Sequence, residues 1–103
     1  MITDDQIKAL NPEMAATWIA SGHAPLSDAQ HRVLAIACRN GGFVGAGTGS
    51  HRGHVERVPA SALLALIRRG YLVHVYGSEG GVAGLLSPSA RARLAAALEG
   101  QTP

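Results

Sequence analysis

The chain has 103 residues, 47% hydrophobic, 16% charged and 4% aromatic, with 13 glycines, 5 prolines and one cysteine. That is enough apolar matter for one domain around one core, and too little charge for a disordered tail; a lone Cys38 excludes an internal disulfide and a multi-cysteine metal site. The net charge of +2 is uneven: residues 1–50 carry three basic and four acidic side chains, net −1, and residues 51–103 carry six and three, net +3, a bias compatible with a polyanion partner and contrary to a DNA mimic.

No apolar run approaches the roughly 20 residues of a membrane-spanning helix, and Met1-Ile2-Thr3-Asp4-Asp5 lacks the basic and then apolar pattern of a secretory leader. A soluble, cytoplasmic protein without membrane contact is expected. Residues 4–10 can form one or two helical turns with Thr3 as N-cap and acids in the first turn. Asn11-Pro12 reads as a fresh N-cap with proline at the first helical position, and that helix runs to about Ala20 before Ser21-Gly22. Met14 and Trp18, four residues apart, share a face suited to the core or to a dimer contact. After the connector His23-Ala24-Pro25-Leu26, Ser27-Asp28-Ala29-Gln30 fits a capping box. The helix it starts should bury Ala29, Val33, Ile36 and Ala37, turn Gln30, Arg32 and Arg39 outward, and stop at Asn40-Gly41-Gly42.

Phe43 to Glu56 contains Gly45, Gly47, Gly49 and Gly53, which disfavour a stable helix; strands around Phe43-Val44 and His54-Val55 joined by a loop are expected. Val58-Pro59 opens the next helix, with Leu63, Leu66 and Ile67 as its apolar face, Arg68 and Arg69 in its last turn and Gly70 beyond its end. Tyr71–Tyr76 and Val82–Leu86 read as the two strands of a hairpin around Gly77–Gly81. Ser87-Pro88 repeats the cap-and-proline start, and an alanine-rich helix runs from Ser89 to Leu98, ending at Gly100.

The succession Arg68-Arg69-Gly70-Tyr71-Leu72, hairpin, Leu86-Ser87-Pro88-Ser89-Ala90-Arg91-Ala92-Arg93-Leu94 resembles the winged helix-turn-helix domains of bacterial transcription regulators such as the MarR and PadR families. The resemblance covers about residues 27–98 and departs at 41–57, where the glycine-rich stretch stands in place of the first helix of the helix-turn-helix pair. It implies an α+β, winged-helix-like fold in which helices pack against a small antiparallel hairpin or sheet. The chain would be a single domain over 1–103, with an N-terminal helical extension (1–26), a winged-helix-like core (27–98) and a tail (99–103). The resemblance also implies a homodimer on duplex DNA, with helix 59–69 in a major groove, the wing tip 78–81 over the backbone and dimer contacts from Met14, Trp18 and helix 89–98. Arg52, Arg57, Arg68 and Arg69 would meet phosphates and Ser61 a base edge, giving salt-sensitive binding of weak sequence preference by a transcription or mobile-element regulator. A phage-type inhibitor or adaptor that grips a protein partner through the same scaffold is the alternative.

Other chemistry is poorly supported, and no enzyme, cofactor or metal is expected. Gly42 to Ser50 lacks the Gly-Lys-Ser/Thr ending of a phosphate loop, and no lysine follows Lys8. His51, His54 and His74 make a weak ligand set without a cysteine nearby. Cys38 and His31 lie two helical turns, about 10 Å, apart, too far for a nucleophile and its base.

Overall fold

The computed structural model describes residues 2–46, 58–76 and 82–101. Its first three helices start where hydroxyl and amide side chains can satisfy the free amides of a first turn. α1 (Asp4–Lys8) and α3 (Asp28–Arg39) both open on complete capping boxes, Thr3 with Gln6 and Ser27 with Gln30. In α3 the Gln30 amide donates to Ser27 Oγ at 3.1 Å and the Ser27 amide to Gln30 Oε1 at 3.1 Å. Between them, α2 (Pro12–Ala20) is capped by Asn11, whose Oδ1 accepts from the Met14 amide at 3.1 Å. α3 ends through Gly41 and Gly42, at φ +80° and +116°, a conformation that side chains on L-residues resist.

Beyond Gly42 the chain enters β1 (Phe43–Ala46), and after α4 (Ala60–Arg68) it forms the hairpin strands β2 (Leu72–Tyr76) and β3 (Val82–Leu86). The sheet is antiparallel with order β1-β3-β2: Phe43 and Val73 lie on opposite sides of Leu85, and Val44 and His74 on opposite sides of Gly84. Pro59 is the N-cap of α4 rather than its first helical residue, and it offers no side-chain bond. Gly70, at φ +83°, turns the chain into β2. α5 (Pro88–Gln101) is capped by buried Ser87, whose Oγ accepts from the Ala90 amide at 3.1 Å and donates to the Gly70 carbonyl at 2.6 Å. One hydroxyl thus joins the corner after α4 to the start of α5.

The described residues form an α+β arrangement of five helices and a three-stranded antiparallel sheet, with α3 at its centre. Val33 to Cys38 are buried on every side of α3, because α1, α2, α4 and β1 all pack around its second half. Ala29, expected in the buried stripe, is exposed, since the enclosure begins one turn later. From the helices of residues 1–26, Ile7, Ala15, Ala16 and Ile19 are fully buried in the same core as Leu63, Leu66 and Leu94. Trp18 packs partly against that core, whereas Met14 stays exposed. α5 continues through Gly100 to Gln101, because a glycine costs a helix only about 1 kcal/mol and no contact there forces a stop. The expected strand at His54-Val55 and the turn Gly77–Gly81 lie outside the described residues.

Candidate nucleic-acid interface

α4 packs its inner face, Ala62, Leu63 and Leu66, against the core. Ala60, Ser61, Leu64 and Arg68 are exposed and, at 3.6 residues per turn, fall within an arc of about 100° on the opposite side. The helix carries no acid, so this face presents two apolar side chains, one hydroxyl and one guanidinium. Leu64 remains 37% exposed in its middle.

The described basic residues of the second half, Arg68, Arg69, Arg91 and Arg93, do not act as a set. Arg69, expected to meet phosphate, turns inward: its guanidinium donates to the carbonyls of Ala24 and Pro25 and to Gln30 Oε1. It also lies 5.6 Å from the centre of the Tyr71 ring, whose other neighbour is the edge-on ring of His23. Arg69 therefore pins the α2–α3 connector to the end of α4. Arg93 donates to the carbonyls of Ile19 at 3.3 Å and Ser21 at 3.0 Å, satisfying acceptors that the end of α2 leaves open. Arg91 pairs with Asp4 at 2.8 Å, tying α5 to α1. Three of the six basic side chains of residues 51–103 are thus internal struts. Arg68 is exposed and makes no such contact among the described residues. Ser61 is exposed at the N-terminal end of the same face, and Arg52 and Arg57 lie outside the described residues. The structure brings Ser61 and Arg68 together on one surface and assigns Arg69 elsewhere. A one-dimensional reading has no signal for this, because the carbonyls that hold Arg69 and Arg93 lie 44 to 74 residues away in sequence.

A second surface has no counterpart in the sequence reading. The outer face of the sheet sets Phe43, Leu85 and Val73 in one row across three strands, with Gly45, Ala83 and Val75 in the next row on that face. Val73 and Leu85 are 47% and 41% exposed, and no charged residue belongs to either row. Strict alternation along Val73 and Val75 is the signal that could have found it, but the equally apolar inward Leu72 masks it.

No group of three or more histidine, cysteine, aspartate or glutamate side chains that could hold a metal occurs among the described residues. His74 is exposed on β2, His51 and His54 lie outside the described residues, and His31 Nδ1 meets Glu13 Oε2 at 3.3 Å. Of the supposed phosphate loop, Phe43–Ala46 is spent as β1 and the remainder from Gly47 lies outside the described residues. Cys38 is enclosed in α3, and burial pushes its thiol from its ordinary 9.0 up to about 12. The neutral thiol is therefore favoured by folding, so the unfolded chain ionises first. Stability should fall as the pH rises above about 9, a decline that Cys38→Ala removes; equal alkaline curves for the two proteins in chemical denaturation would contradict the burial of this group.

No helix of the described residues is long and apolar enough to cross a membrane. Comparison of the chain with protein-family models, curated proteins and solved structures returns no match. The class defined by the structure is accordingly a small α+β protein with one acid-free, outward helix face beside a β-hairpin.

Proposed function

We propose that this chain is a small winged-helix DNA-binding protein, a transcription or mobile-element regulator that sets the outer face of α4 into the major groove of duplex DNA as a homodimer. The observation that carries the reading is the sheet order β1-β3-β2, with an acid-free helix directly before the β2–β3 hairpin. In that arrangement β1 pins the hairpin from one side and leaves α4 free to be presented beside it. Phosphate contacts fall to Arg68 and, from their place in the sequence, Arg52 and Arg57; Ser61 is the polar group available to a base edge. Arg69 supports α4 from behind. The test is a gel-shift titration with mixed duplex fragments at low salt: retardation at micromolar protein is expected, and its absence would remove the reading.

The outer sheet face favours a second reading, a phage-type inhibitor or adaptor whose partner is a protein. A contiguous apolar row on an exposed surface is a common mark of protein contact. Co-purification of one stoichiometric protein, lost on Val73→Asp, together with no duplex retardation, would decide for it.

A further inference from the structure

Resting on that reading of α4, we infer that the base feature this helix recognises is the C5-methyl group of thymine, and that Leu64 is the side chain that reads it. The exposed arc of α4 holds no asparagine, glutamine, aspartate, glutamate or lysine. It therefore lacks the amide that pairs with adenine and the acid that accepts from cytosine. What it offers instead is Ala60 and Leu64 one turn apart, with Ser61 beside them and Arg68 one turn further on. The major groove carries a single apolar landmark, the thymine methyl, and apolar side chains are what contact it.

The geometry of the helix makes Leu64 the natural reader. It sits about 6 Å along the axis from both Ala60 and Arg68, close to two base-pair steps each way. Ala60 and Ser61 are small, so the first turn can approach base edges closely while Leu64 reaches the floor of the groove. Arg68 then lies toward the backbone and supplies the charge that holds the face there. A large apolar side chain left 37% exposed in the middle of this face gains from burial against any apolar surface, and in the major groove the thymine methyl is the one on offer. The absence of acids from the helix fits a polyanion rather than a basic protein as that surface.

The experiment starts from a pool of short duplexes with a randomised centre, enriched at low salt on the full chain. Binding of the best retained duplex is then measured by fluorescence anisotropy, with each thymine replaced in turn by deoxyuridine, which lacks only the methyl. Wild type should bind about fourfold more weakly at one or two of these positions, the worth of one buried methyl. Leu64→Ala and Leu64→Gln should show no such difference, while Arg68→Ala should weaken the thymine and uracil duplexes equally. Thermal melting of each variant checks the fold, which an exposed position should leave intact. If duplexes are retained but no thymine responds, or if Leu64→Ala responds like wild type, the inference is wrong and the DNA-binding reading stands. If the pool returns no duplex, that reading fails and the inference falls with it.

Discussion

Leu63→Ala should be among the most destabilising single substitutions in the chain. Leu63 is fully buried on the inner face of α4, and its Cδ1 lies 3.4 Å from where a Cβ on Gly84 would stand. The glycine in β3 is the recess that the leucine fills, and Leu72 closes it from the side, 3.3 Å from the same point. Truncation removes the transfer energy of the side chain and leaves a cavity between helix and sheet, together about 3 kcal/mol. In a domain of this length that is a large share of total stability and lowers the melting temperature by about 15 °C. The recess predicts a coupling as well. Gly84→Ala is crowded chiefly by Leu72, whose Cβ and Cδ1 both stand 3.3 Å from the new Cβ and stay in place when Leu63 is truncated. The added methyl nevertheless fills part of the space that Leu63→Ala empties, so the double variant should be more stable than the sum of the two losses implies. Strict additivity by denaturant titration would contradict this packing.

Gly42→Ala should cost about 2 kcal/mol, for reasons of backbone rather than core. Its φ of +116° is strained for alanine. The residue is also fixed by two backbone bonds, its amide to the Ala37 carbonyl at 2.7 Å and its carbonyl to the Leu86 amide at 2.9 Å. A new Cβ would lie 2.6 Å from Arg91 Nη2, so the guanidinium must swing away from Asp4 to make room. That pair is mostly solvated on the Asp4 side and contributes little, which leaves the dihedral strain as the main loss. Arg91→Ala alone should therefore be mild, and Gly42→Ala should remain severe in its background; a double variant restored to wild-type melting would show the clash to be the cause instead.

The parts of the fold that rest on local chemistry could be read along the chain. Ser27 with Gln30, Asn11 before Pro12, Gly41-Gly42 and Gly70 each act within a turn or so of themselves, and the helices begin and end there. Three features were illegible for one reason, that their partners are distant in sequence. β1 pairs with β3, some 40 residues on, and not with a neighbour. Val33 to Cys38 are enclosed on all sides, which a single amphipathic stripe does not convey. Arg69 and Arg93 find carbonyls in residues 19–25, which turns a basic half-chain into a source of internal struts. On the candidate interface, the acid-free helix before a hairpin was legible; which of its arginines faces solvent was not.

Duplex binding, on this reading, depends on arginines that meet phosphate, and of these Arg68 is the one among the described residues. That dependence is tested most directly by following affinity for one duplex across a salt series, in wild type and in Arg68→Ala. Three phosphate contacts per chain, from Arg52, Arg57 and Arg68, and so six in the homodimer, give a slope of log affinity against log salt of about −5.4, and the variant, which removes one contact from each chain, should flatten it by about 1.8 while melting like wild type. A folded Arg68→Ala with unchanged affinity and unchanged slope would contradict it.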